Sequence, residues 1–426
     1  MKPVVIKKLF DVIKNRPKRL VSRDFCLRLV RTLQSLTIYK KLPQSSSPRL
    51  YFDVTVFSIV DNKTGVQRVI RSVLEEIKPL LRDQYEIIPV SCTAVTLGFH
   101  ALQEVNIDGK KKFKITKYKI SPIPGDIFLS LEQAFVEHLA QEKVFEAMKK
   151  NGCRIIFTVY DLLPLQLPNC FPPEVNSIFK DWLLLSSNFG EFLCDSKTVE
   201  RDLKNYLSLY NRNLINSNWF YPGSNFLSNI ASSGITEKQH NYLNNQKKFK
   251  FNFLMVGTIE PRKGHKIIYD LFTQLWETHN IDLSLTFIGK KGWMIDELTD
   301  SFSTSEYLNK NFFWFNQASD EFLKLCYAST DAVIIASLNE GFGLPIIEAA
   351  QHGCRIIAND IPVFREVAPP ECFFLRLDNF DAATLQFRDW LKKPSPRCSS
   401  VKLQTWGEST KQIVTKLKLI SSLQTK

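Results

Sequence analysis

The sequence predicts an α/β protein of two domains, each built on a parallel sheet flanked by helices. Three observations lead there. At 426 residues the chain exceeds one ordinary core and fits two of about 150 to 200 residues each. Short apolar runs alternate with glycine-bearing turns and helical stretches, the rhythm of βαβ units. The stretch Ala332 to Ala350, AVIIASLNEGFGLPIIEAA, condenses that rhythm into a buried strand, a glycine loop and a helix start. Gly341 and Gly343 permit a tight turn, and Pro345 suits the first helical position, where no hydrogen-bond donor is lost. Such a loop aims backbone N–H groups and the positive end of a helix dipole at one point, an anion site flanked by Glu340 and Glu348. Ionised carboxylates offer acceptors only, which suits sugar or ribose hydroxyls; solvated acids in an ordinary turn are the plainer alternative.

The chain opens with a basic segment. Twelve Lys and Arg fall between Met1 and Pro48 against only Asp11 and Asp24, so most of the net charge of +13 belongs to this arm. Ile6, Leu9, Phe10 and Ile13 repeat at helical spacing, as do Phe25, Leu29, Leu33 and Leu36. The stripe meets either an anionic membrane surface, through residues 1–41, or the body of the protein. Nucleic acid finds no support, since no recognised nucleic-acid module follows. Pro43 to Pro48 is a linker, making residues 1–48 an arm.

The first domain is expected over residues 49–222. Leu50 to Phe57 opens it as a strand, and a turn with Gly65 leads into a helix from Val66 to Ile77, where doubly wound sheets bind ligands. Glu86 to Val90 is a strand, and Lys110 to Ile120 alternates lysine with apolar residues behind an Asp108, Gly109 turn, as in a hairpin with lysines toward water. Asp126 to Leu131 and Arg154 to Tyr160 read as buried strands with a helix from Val136 to Lys150 between them. Asp161 leaves the second of these at its carboxyl end, in a site-facing position, with a helix or turn cap as the plainer alternative. Glu191 to Cys194 is a strand, with Asp195 and Ser196 capping the next helix. The Asn- and Ser-rich run from Ser208 to Gln246 holds the linker, placed at residues 223–249.

The second domain is expected over residues 250–400. Its first strand, Lys250 to Gly257, ends in Thr258, Ile259, Glu260, Pro261, Arg262, Lys263 and Gly264, and two cations at a strand-to-helix junction suit a diphosphate. Leu283 to Gly289 and Cys354 to Ala358 are further strands, Asp320 to Ala328 is a helix, and a closing helix occupies residues 401–426, centred on Thr410 to Ile420. Nine singly spaced cysteines indicate reduced thiols in a cytosol-like compartment, with no zinc spacing. No apolar stretch approaches the ~20 residues that span a bilayer, and no signal-peptide cleavage site opens the chain. A dinucleotide oxidoreductase is a further rival, disfavoured because no G-x-G-x-x-G follows a strand.

The segment NEGFGLPIIEAAQHG at Asn339 to Gly353 resembles the paired-glutamate motif of glycosyltransferase family 4, retaining enzymes of GT-B architecture. VGTIEPRKGH at Val256 to His265 and IGKKGW at Ile288 to Trp293 support it, and DNKTGVQRV at Asp61 to Val69 with VYDLLPL at Val159 to Leu165 resembles the mannosyltransferase-like branch of surface polysaccharide synthesis. The resemblance implies two Rossmann-like domains facing across a cleft, and a nucleotide-sugar donor with GDP-mannose favoured. It implies that Lys263 and Arg262 bind the donor diphosphate, Glu348 the ribose, and Glu340 the sugar or its developing charge. The backbone of Phe342, Gly343 and Leu344 would cradle sugar and phosphate, and Gly65 would close the site. Thr258 stands where many relatives carry arginine, and Tyr160 precedes Asp161 where they carry histidine, so a histidine role does not transfer.

The chemistry follows from the same residues. Breaking a sugar–phosphate bond requires fixed positive charge at the departing diphosphate. No Asp-x-Asp pair occurs, which argues against a bridging metal and leaves that work to Arg262 and Lys263. The expectation is hexose transfer with retention to a glycan or lipid-linked acceptor, without a cofactor, in the cytoplasm or peripherally at the inner membrane face. A non-catalytic nucleotide-sugar-binding protein, or an epimerase or phosphorylase of the same architecture, is the alternative.

Overall fold

In a computed structural model the described residues are 39–60, 64–107, 110–212, 215–224, 234–279, 281–399 and 404–418. The amphipathic stripes of the basic arm, the Asp61 to Lys63 part of the first-domain motif and the Asp108, Gly109 turn lie outside them. The chain forms two compact units, each drawn from several segments. The first comprises Met1–Ile70, Arg82–Phe157 and Asp181–Gly190, and the second Arg71–Leu81, Thr158–Lys180 and Glu191–Lys426.

In the first unit, β1 (Lys40–Lys41), β2 (Arg49–Asp53), β3 (Glu86–Ser91), β4 (His100–Ile107), β5 (Lys110–Lys119), β6 (Ile127–Ser130) and β7 (Arg154–Val159) lie in the order β1-β5-β4-β3-β2-β6-β7. The centre is parallel: β2 pairs with β3 and β6, and β6 with β7. The expected hairpin is the antiparallel pair β4 and β5, in register from Leu102 opposite Ile115 to Ile107 opposite Lys110. The opening strand stops at Asp53 rather than Phe57, because Thr55 turns back, its N–H and hydroxyl both donating to Asp53 Oδ1 at 3.1 and 2.6 Å. The expected single helix over Val136 to Lys150 is two, Phe135–Leu139 and Glu142–Lys150, broken at Ala140 and Gln141. Gln141 is buried, and its amide donates to the carbonyls of Thr93 and Thr96.

Aromatic side chains fill this core: Phe99, Phe128, Phe145 and Phe157 meet at 4.8 to 6.3 Å between ring centroids. One polar chain runs among them. Trp182 Nε1 donates to His138 Nδ1 at 3.3 Å, leaving the Nε2 proton for Asp53 Oδ2 at 2.8 Å. Ser130 donates to the same oxygen at 2.8 Å, so the buried Asp53 is well supplied with donors. Beside it Glu132 accepts from the N–H of Phe57 at 2.8 Å; burial and the Asp53 charge push its pKa up to about 8.

In the second unit β8 (Glu191–Cys194) and β9 (Ser217–Trp219) pair in parallel. The other strands are β10 (Phe251–Val256), β11 (Leu283–Ile288), β12 (Phe312–Phe315), β13 (Ala332–Ile335), β14 (Arg355–Asn359) and β15 (Phe373–Leu375). They form a six-stranded sheet ordered β12-β11-β10-β13-β14-β15, parallel throughout. Alternation along β10 sends Phe253 and Met255 to one face, with Phe272, Phe287 and Phe387, and Leu254 to the other, with Phe322, Ile346 and Ile356. The stretch from Ser208 to Gln246 holds more structure than a linker reading allows: β9, and a helix at Glu237–Asn245 that opens on a reciprocal Thr236 and Gln239 capping box. The closing helix runs Trp406–Lys416, four residues earlier than expected, because Thr405 and Glu408 form another capping box. No helix among the described residues is long and apolar enough to cross a membrane.

Candidate active site

The site residues of the second unit gather at the carboxyl ends of its strands, where parallel sheets leave loops free for binding. After β10, Gly257 adopts φ 143° and a 3-10 turn at Pro261–Lys263 follows. Gly264 then reverses the chain at φ 72°; a Cβ there would meet the Ala336 carbonyl oxygen at 2.2 Å, so only glycine lets this turn press against the end of β13. The Leu338 N–H donates to the Arg262 carbonyl at 2.8 Å, which ties the two loops together.

That tie brings the predicted residues into one cluster. Arg262 Nη1 donates to Glu340 Oε2 at 3.2 Å, and Lys263 Nζ donates to Glu340 Oε1. Ser337 adds its hydroxyl to Oε1 at 2.7 Å, and Arg262 Nε reaches Glu260 Oε2 at 3.0 Å. Burial alone would raise the Glu340 carboxyl, but Lys263 and Arg262 outweigh it and hold its pKa at about 2. The Arg262 guanidinium is raised further above its ordinary range, since Glu340, Glu260 and Asp161 overcome the opposing effect of burial. In this state Glu340 is the counter-ion of both cations rather than an acceptor waiting for a hydroxyl.

Asp161 joins the cluster from the first-domain motif. Its Oδ1 accepts from the Leu163 N–H at 3.1 Å, and burial raises its pKa against the pull of Arg262. Gln166 accepts from Asn339 Nδ2 at 2.8 Å, linking the same motif to the glycine loop.

The loop after β13 has the predicted shape. Gly343, at φ 92°, precedes the helix Leu344–Gln351, in which Pro345 takes the second position rather than the first. A Cβ on Gly343 would sit 2.8 Å from the Phe364 ring. The Phe342 side chain is buried and its ring lies 5.6 Å from that of Tyr221, so this residue packs into the unit while its backbone follows the loop. Glu348 lies in the second turn of the helix, half-buried. Thr258 is exposed at the end of β10. Gly65 opens the helix Gly65–Leu81, whose N-terminus is capped by Thr64, in the first unit.

Sequence reasoning missed Asp195. Its place beside Ser196 suggests a shared helix cap, but the cap is Ser196 alone, accepting from the Val199 N–H at 3.1 Å. Asp195 instead lies 5% exposed under the glycine loop. Glu366 completes the helix start from elsewhere, accepting from the N–H groups of Lys197 and Thr198 at 2.8 and 2.9 Å and from the Thr198 hydroxyl at 2.6 Å. No local spacing announces a cap 168 residues away.

Comparison with known proteins gives the fold its relatives. Residues 236–404 match the family described as glycosyl transferases group 1. The chain is 31% identical over 386 residues to the serotype-specific mannosyltransferase WbdA of Escherichia coli, covering 88% of this chain and 47% of that protein. It thus spans about half the length of the curated relatives it matches. The structure of Anabaena HepE in complex with UDP and glucose is similar at TM-score 0.52 and 13% identity, covering 87% of this chain and 95% of that one. The catalytic domain of starch synthase IV from Arabidopsis thaliana, bound to ADP and acarbose, is similar at TM-score 0.54 and 12% identity, covering 88% and 99%. The chain has the GT-B fold of the glycosyltransferases, an α/β architecture of two Rossmann-like domains.

Proposed function

We propose that this chain is a retaining glycosyltransferase of family 4 that moves a hexose, with mannose favoured, from a nucleotide diphosphate donor to a glycan or lipid-linked acceptor in surface polysaccharide synthesis. The observation that carries the reading is the pair Arg262 and Lys263 converging with Glu340 beside the N-terminus of the helix Leu344–Gln351. Fixed cations and a helix N-terminus are what a departing diphosphate requires. The mannosyl donor, GDP-mannose, is favoured by the likeness to a mannosyltransferase.

In this reading the donor diphosphate takes the cations that Glu340 holds in its absence. Glu340, released from Lys263, turns to the sugar and supports its developing positive charge, while Glu348 accepts from the ribose hydroxyls. The departing phosphate oxygen receives the proton of the incoming hydroxyl on the same face, giving retention. Thr258 and the backbone of Phe342, Gly343 and Leu344 line the donor. Work on the cytoplasmic membrane face fits the basic arm over residues 1–41.

Product analysis tests this. With GDP-mannose and a mannose-terminated glycolipid acceptor, the expected products are GDP and an α-linked extended acceptor. Sugar release without acceptor would instead indicate a hydrolysing epimerase, and binding without turnover a non-catalytic protein.

A further inference from the structure

Asp195 is a buried carboxyl that the proposed chemistry leaves unused. It follows β8, and its Oδ1 has no hydrogen-bond partner among the described residues. Directly above, the glycine loop is pressed down: a Cβ on Gly341 would lie 1.8 Å from the Tyr160 carbonyl oxygen and 3.0 Å from Asp195 Oδ2. Ser196, the next residue, donates its hydroxyl to the Gly341 carbonyl at 2.7 Å. The loop that carries Glu340 therefore rests on the end of β8.

Three acidic groups act on Asp195. Asp161 faces it from the segment after β7, Glu340 from the glycine loop, and Glu366 from the helix Pro362–Val367. The nearby cations are already engaged, Lys263 with Glu340, and Arg262 with Glu340 and Glu260. An ionised carboxylate with one oxygen unpartnered, among three like charges, is a costly state; the neutral acid loses far less by burial. Burial, and after it the Asp161 charge, indeed raise the Asp195 carboxyl well above its ordinary range.

We propose that Asp195 is a positioning residue that acts as a neutral acid, giving the glycine loop an uncharged seat so that Glu340 can close on Arg262 and Lys263. The inference rests on the proposed function only where it concerns nucleotide binding; the seat itself is a property of the folded protein.

The test compares the full chain with Asp195→Asn, which keeps the shape and is neutral at every pH. A carboxyl raised in the folded state stabilises fully below its unfolded value and loses that contribution as pH rises through the folded one. Thermal midpoints measured from pH 5 to 9 should therefore show the variant gaining on the wild type by about 2 to 4 °C toward the alkaline end. Glu132 titrates in the same window but is common to both proteins, so the difference reports Asp195 together with its effect on the neighbouring Asp161. Affinity for GDP at pH 8.5 should be at least as high in the variant. Parallel midpoint curves, or a variant that falls further behind as pH rises, would overturn the proposal. Should Asp195→Asn not fold, Asp195→Ser carries the same comparison. A protein that binds no GDP at all would overturn the proposed function and leave the midpoint curves to decide on Asp195.

Discussion

At the scale of single residues, the cluster is organised by one carboxylate serving two cations. Glu340 is only 11% exposed at its side chain, and both partners are 15% exposed. Breaking a buried pair by removing one charge leaves the others uncompensated, so Glu340→Gln is expected to cost about 3 kcal/mol at neutral pH, read from urea unfolding. The pH dependence follows from the depressed pKa. A carboxyl whose folded value is about 2 contributes stability that is present above the unfolded value and lost as pH falls through 2. The gap between wild type and Glu340→Gln should narrow steadily below pH 4, and a gap that stays constant down to pH 2 would remove the ion-pair explanation. The residues themselves were readable in the sequence, because cations after a strand-end glycine and acids around a glycine loop are local patterns. Their pairing was not, since Arg262 and Glu340 are 78 positions apart and the expected role for Glu340 left it unpaired.

At the scale of elements, strand-to-helix units were legible wherever apolar runs met glycine. Gly264 and Gly343 both adopt the left-handed conformations their turns require. Elements without that punctuation escaped: the helix Glu237–Asn245 in a polar stretch, and the break at Ala140 and Gln141, which depends on Gln141 reaching carbonyls more than forty residues away. The helix Lys197–Ser208 shows the same limit, as half of its N-terminal capping comes from Glu366. Glu366→Ala should destabilise the protein by about 1 kcal/mol, the usual cost of a lost cap, and speed amide exchange at Lys197 and Thr198. Unchanged exchange there would show that the carboxylate is not needed to hold the helix start.

At the scale of the molecule, both units set polar residues at the carboxyl ends of parallel strands, Asp53 in the first and Arg262, Lys263 and Glu340 in the second, yet they use them differently. The first buries Asp53, His138 and Trp182 in a satisfied chain that fixes its core. The second gathers Asp161, Arg262, Lys263 and Glu340 with their charges incompletely matched, an arrangement that holds ligands better than it holds a fold. The most direct measurement of the central claim is a calorimetric titration of GDP-mannose into wild type and Lys263→Ala. Losing a hydrogen bond to a charged group, worth ~1.5 to 3 kcal/mol, should weaken binding by roughly 10- to 100-fold while the unfolding transition stays cooperative. Equal affinity in the two proteins would contradict the assignment of this cluster as the diphosphate site.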